Sequence, residues 1–183
     1  MNREVPHTLE DFNRYGEGFL FEHLGIVFTS VEATEVIAHI ELQQHHSGWH
    51  DYLHAGTLFA LADSCAGYGC VKSLPKSASG FTTVEAKTNF LATVREGLIE
   101  CTARPLHTGR STQVWDAEIV AKPSGKVLCL YRCTQIILRP SSTREYASRN
   151  PRLILYPNLG TITNVSGTCN TPLNSCHCSS LLQ

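Results

Sequence analysis

The chain has 183 residues and a mass of 20.2 kDa, a size for one compact domain with a tail rather than for a two-domain enzyme. Hydrophobic residues make up 42% and charged residues 17%, which is enough apolar side chain for a core and excludes general disorder. Fifteen Lys and Arg stand against sixteen Asp and Glu, a net charge of −1 with no basic cluster, so nucleic-acid phosphates are excluded as the partner.

The first residues mix acids with bases and hold no apolar run, so they read as neither a signal nor a transit peptide. The longest nearly uncharged stretch, 55–71, is interrupted by Asp63 and falls short of a membrane span. The chain therefore reads as soluble and cytoplasmic. Residues 8–15 open with Thr-Leu-Glu-Asp, which suits a helix start because Thr caps and the acids complement the dipole; with its short length, the segment 1–24 is expected to be peripheral. Residues 25–31 and 35–43 are strand candidates; in the second, Val36, Ala38, Ile40 and Leu42 alternate with polar neighbours, and the short link between the two suggests a hairpin.

A His-rich polar connection, HHSGWHDY, leads into LHAGTLFALADSCAGYGCVK. The spacing there is helical and nearly every face is apolar, the pattern of a buried helix. Four more strands are expected at 82–92, 98–106, 111–121 and 126–138, separated by Gly-bearing turns of the kind that join antiparallel neighbours. The order is ββαββββ, an α+β domain over 25–140 with one helix wrapped by a large sheet. Residues 141–183 change character, with seven Ser, five Thr, five Asn and a single acid, Glu145, and read as a mobile extension. Cys65, Cys70, Cys101, Cys129 and Cys133 fall in apolar periodic segments, where a reduced Cys acts as a small hydrophobe; Cys169, Cys176 and Cys178 sit in the tail at no familiar zinc spacing.

Asp63 is the most informative residue, a carboxylate in a helix that the pattern buries. Such a group is either hydrogen-bonded structurally or kept for reactivity. His54, Ala55 and Gly56 stand where loop becomes helix, and the first N–H groups of a helix have no internal partners, so they can hold a carbonyl oxygen and the oxyanion formed from it. The plainer reading is tight packing beside a satisfied loop histidine. His46, His50 and His54 recur every fourth residue, which on a helix would align zinc ligands, but Gly48 argues against a helix there. No Gly-x-Ser-x-Gly elbow and no Gly-rich phosphate loop occurs.

The run Leu-His-Ala-Gly-Thr-Leu-Phe-Ala-Leu-Ala-Asp resembles the His-Gly-Gly…Leu-Ala-Asp signature of the hot-dog-fold acyl-CoA thioesterases of the phenylacetate-pathway (PaaI-like) type. Thr83-Val84-Glu85 leading to Asn89-Phe90-Leu91, and His107-Thr108-Gly109-Arg110 before the strand with Trp115, agree with it. The resemblance implies a hot-dog fold, a homodimer or homotetramer with the active site at the dimer interface, and hydrolysis of an acyl-CoA thioester to a carboxylic acid and free coenzyme A without a metal or redox cofactor. Carried over, the Ala55 N–H polarises the carbonyl while His54 and Gly56 shape the site. Asp63 from the partner subunit is base or nucleophile, and Thr83 helps hold water or carboxylate. Gly109, Arg110 and Ser111 lie near the nucleotide of coenzyme A, and Phe59, Phe90 and Trp115 are candidates for the acyl tunnel. Two positions depart from the family: Gly48 replaces an Asn, and Ala55 replaces a Gly. The rival readings are a non-catalytic acyl-CoA binding module, which Gly48 favours, and an enoyl-CoA hydratase.

Overall fold

A computed structural model describes residues 6–140. The tail 141–183, with its three cysteines and its expected mobility, lies outside the described residues.

Thr8 caps α1 (Leu9–Tyr15) through a reciprocal pair, its hydroxyl accepting from the Asp11 N–H and its own N–H donating to the Asp11 carboxylate. Two orphan donors of the first turn are thereby satisfied. The N-terminal segment is tied in more firmly than its length suggests. Phe12 is fully buried with its ring 4.9 Å from that of Tyr68, and Tyr68 donates to the Phe12 carbonyl at 3.1 Å. A short α2 (Leu20–His23) follows. The first hairpin joins β1 (Val27–Val31) and β2 (Val36–Glu41).

The chain then forms one 3-10 turn, Gln44–His46, enters α3 (Ala55–Lys72), and continues through β3 (Gly80–Phe90), β4 (Leu98–Thr108), β5 (Thr112–Lys122) and β6 (Lys126–Leu138). The six strands make one antiparallel sheet in the order β1-β2-β4-β5-β6-β3, and α3 touches all six. Register shifts interrupt four of the ladders, between Phe28 and Ser30, Thr83 and Glu85, Pro105 and His107, and Ile119 and Val120. Bulges of this kind raise the local twist, which lets the sheet curl around the helix. This is the hot-dog fold.

One connection is not a turn between neighbours. β3 pairs with β6 and β4 pairs with β2, so residues 91–97 cross the sheet instead of closing a hairpin. Backbone bonds explain the path: Leu91 and Ala92 donate to the Leu128 carbonyl, Leu53 donates to Val94, and Leu42 donates to Gly97. The link is pinned at each step to a different element.

The sheet has two edges. β1 is covered by α1, where Asn13 both donates to the Phe28 carbonyl and accepts from its N–H. β3 is exposed along most of its length, with Val84 52% and Phe90 48% accessible. Trp115 is fully buried and donates to Gln113 at 2.8 Å. A Cβ on Gly69 would lie 2.3 Å from its ring, so helix and sheet meet there at van der Waals contact. Trp115 is therefore a core residue and does not line a tunnel.

Candidate active site

The loop before α3 is held by His46, which is 1% exposed. Its Nδ1 accepts from the Gln43 N–H at 2.8 Å, and its Nε2 lies 3.1 Å from the Leu24 carbonyl, to which the remaining ring hydrogen donates. Both ring nitrogens are engaged, which makes His46 a structural bracket. Burial first, and then the neighbouring His45, push its pKa down, against the opposing pull of the Leu24 carbonyl. The His46 carbonyl in turn accepts from the His54 N–H at 2.9 Å and from the Thr57 hydroxyl at 3.1 Å, so this one peptide fixes the start of α3.

His54 is the N-cap, and its Nδ1 accepts from the Gly56 N–H at 2.9 Å. As an acceptor Nδ1 carries no hydrogen, which places the ring hydrogen on Nε2. Gly56 is required by this close approach, since a Cβ there would sit 2.8 Å from Nδ1. The Ala55 N–H, at the first helical position, has no partner among the described residues. Ala55 and Gly56 are exposed, so an open donor at the positive end of the helix dipole faces outward. Gly48 lies beside this end: a Cβ there would meet the His54 ring at 3.8 Å, an ordinary contact.

α3 is not buried on every face. Ala55, Gly56 and Phe59 are exposed and Ala60, Asp63 and Ser64 half-buried, a stripe at helical spacing opposite the buried Leu58, Leu61, Ala62 and Cys65. Asp63 sits on this stripe, and Tyr131 of β6 donates to its Oδ1 at 2.6 Å. The Tyr131 side chain is buried, and the Phe59 ring meets its ring edge-on at 5.4 Å. Burial and then the bond to Asp63 drive the Tyr131 pKa far up, so the phenol keeps its proton. Thr88 stands directly opposite Tyr131 on β3, its hydroxyl oxygen buried without a partner. Burial also pushes the Cys133 thiol up to about 11 and the Cys70 thiol to about 12, so neither supplies a thiolate at neutral pH.

The expected site residues do not converge within one chain. His54 and Asp63 are nine residues apart on α3, about 13 Å along its axis at the helical rise. Thr83 is exposed and stands opposite Gln135, four β6 positions beyond Tyr131, with no hydrogen bond to Asp63 among the described residues. Gly109 and Arg110 line a cleft of about 420 Å3 with Thr34, Ser73 and Gln113. Ser73 is the C-cap of α3, so this cleft lies at the opposite helix end from His54. Ser111 is exposed in the same turn, and its carbonyl accepts from the Ile137 N–H. A Cβ on Gly109 would lie 2.5 Å from the His107 ring, which explains the glycine. Tyr131 was not singled out from the sequence; its sign is the alternation of β6, which puts residue 131 on the inward face with Cys129 and Cys133.

The sequence profile of the thioesterase superfamily matches residues 50–128. The chain is 36% identical to the 1,4-dihydroxy-2-naphthoyl-CoA hydrolase of Listeria monocytogenes over 115 residues, 63% of this chain and 92% of that protein. It is 31% identical to the enzyme of the same name from Escherichia coli, over 72% of this chain and 95% of that one. Among solved structures, a mutant thioesterase of Pseudomonas aeruginosa matches with a TM-score of 0.69 at 26% identity, covering 75% of this chain and 98% of that chain. The helix wrapped by a curled sheet and the run from His54 to Asp63 thus occur together in a chain that belongs to the hot-dog thioesterases and is a thioester hydrolase.

Proposed function

We propose that the working enzyme is a homodimer that hydrolyses an acyl-CoA thioester at two sites, each built from the N-terminus of α3 in one subunit and Asp63 of the other. The observation that carries this reading is the stripe on α3: the open Ala55 N–H and the Asp63 carboxylate lie on the same accessible helix face, too far apart to act on one carbonyl. Two antiparallel α3 helices bring each N-terminus to the other's Asp63, and the exposed β3 edge supplies a strand pairing that extends the sheet.

The thioester oxygen sits against the Ala55 N–H, with His54 and Gly56 shaping the approach. As a base, Asp63 takes a proton from water while the hydroxyl adds to the acyl carbon and the carbonyl electrons move to oxygen. The tetrahedral intermediate collapses, the C–S bond breaks, and the proton on Asp63 goes to the thiolate, giving a carboxylic acid and free coenzyme A. As a nucleophile, the carboxylate adds to the same carbon, expels the thiolate and forms an anhydride that water then cleaves. Thr83 lies on the β3 edge where the second subunit joins, within reach of water at the site. Gly109, Arg110 and Ser111 meet the nucleotide, where the Arg110 guanidinium pairs with phosphate. Coenzyme A enters as part of the substrate, and neither metal nor redox group is called on. A cytoplasmic location suits the five buried free thiols among the described residues.

Thiol release from a panel of acyl-CoA esters tests the reading. The wild type is expected to cleave at least one ester, and Asp63→Asn to lose about two orders of magnitude or more with the fold intact. An Asn variant that turns over at the wild-type rate removes Asp63 from the chemistry.

A further inference from the structure

Asp63 holds its carboxylate on a half-buried helix face, and the group it is tied to lies 68 residues away on β6, the strand beside the β3 edge. A carboxylate has two equivalent oxygens and turns about its last bond, so a base or nucleophile needs something to decide which oxygen meets the substrate. Tyr131 occupies Oδ1 at 2.6 Å. The phenol itself has little freedom, because its ring is buried and the Phe59 ring closes on it edge-on at 5.4 Å. Phe59 lies one helical turn before Asp63, so the same helix presents the carboxylate and clamps the ring that holds it. The inward-facing neighbours Cys129 and Cys133 carry neutral thiols and Thr88 a neutral hydroxyl, so no cation competes for Oδ1 from β3 or β6.

Resting on the proposed role of Asp63, we propose that Tyr131 is a positioning residue of the hydrolysis: its O–H fixes Asp63 through Oδ1 and leaves Oδ2 as the oxygen that meets water or the acyl carbon. The reactive oxygen is thereby presented in one orientation, which bears on the chemical step rather than on substrate binding. A bond of purely structural worth would contribute to stability and leave the chemical step unchanged.

Thiol release by the full chain at limiting and saturating substrate, with wild type, Tyr131→Phe and Asp63→Asn, beside thermal unfolding of each, tests this. Phe keeps the ring and its contact with Phe59 and removes only the O–H. The expected result is a fall in kcat of about ten- to a hundredfold with KM nearly unchanged. A Phe variant that is less heat-stable but has the wild-type kcat overturns the inference. Asp63→Asn separates the two claims: if it is fully active the reading of Asp63 fails first, whereas an inactive Asn variant beside an unaffected Phe variant leaves that reading standing and removes Tyr131 alone.

Discussion

At the scale of single residues, the proposed site depends on which backbone donor the cap leaves open. His54 takes the Gly56 N–H, and the Ala55 N–H is left open among the described residues. Ala55→Pro removes that one hydrogen with little disturbance, since proline suits the first helical position, and His54 already has the extended backbone (φ −71, ψ 134) that a following proline demands. The expected outcome is a melting temperature close to wild type and a kcat lower by about 10²–10³, the usual cost of one lost oxyanion donor. Thermal unfolding beside thiol release checks it, and a fully active proline variant would show that the oxyanion is held elsewhere. This end of the candidate site was legible in the sequence because a cap, a small pair and the first turn are contiguous. The partner of Asp63 was not, because only the pairing of α3 with β6 brings Tyr131 to it, and no local pattern encodes a contact across 68 residues.

At the scale of elements, the strands were legible wherever alternation met a clear turn: β6 runs from Lys126 to Leu138 as its pattern indicates. Pairing was legible only where a link is a true hairpin. The run 91–97 carries a Gly-bearing turn signal, yet its backbone groups bond to β6, to the loop before α3 and to Leu42 just past β2, so tertiary contacts override the local signal and carry the chain across the sheet. The loop 43–54 is similar, for its order comes from His46 rather than from regular structure. With the ring held neutral by burial, its folded pKa lies below the ordinary imidazole value. The unfolded chain therefore takes up a proton below about pH 6.5 that the folded chain resists. The stability that His46 supplies is fully present above that pH and declines as the pH falls through it. His46→Gln is expected to cost about 1–3 kcal/mol at pH 7.5 through the lost bonds, and the gap to wild type should narrow toward pH 5. Paired denaturant titrations at the two pH values decide, and a gap that stays constant would show that this ring does not titrate on unfolding.

At the scale of the whole molecule, the proposed dimer would give each subunit two half-sites facing the same way. The donor at Ala55 and the carboxylate at Asp63 share a stripe about 12 Å long. Beside it lies an edge strand that exposes Val84 and Phe90, with Leu91 56% accessible just past its end. An uncovered edge with apolar side chains pairs readily with another strand, and a two-fold axis would make the pairing self-complementary. The arrangement makes a prediction that no single-chain site can share. In a dimer of an Ala55→Pro subunit with an Asp63→Asn subunit, one site combines both lesions and the other combines the intact Ala55 of the second chain with the intact Asp63 of the first. Each variant alone is nearly inactive, but unfolding and refolding an equal mixture should restore roughly a quarter of wild-type activity, because half of randomly formed dimers are mixed and each carries one working site of two. Thiol release from the refolded mixture, compared with each variant refolded alone, gives the answer. Recovery near that fraction places the two halves of the site on different subunits, and a mixture no more active than its components confines both halves to one chain and sinks the dimeric site.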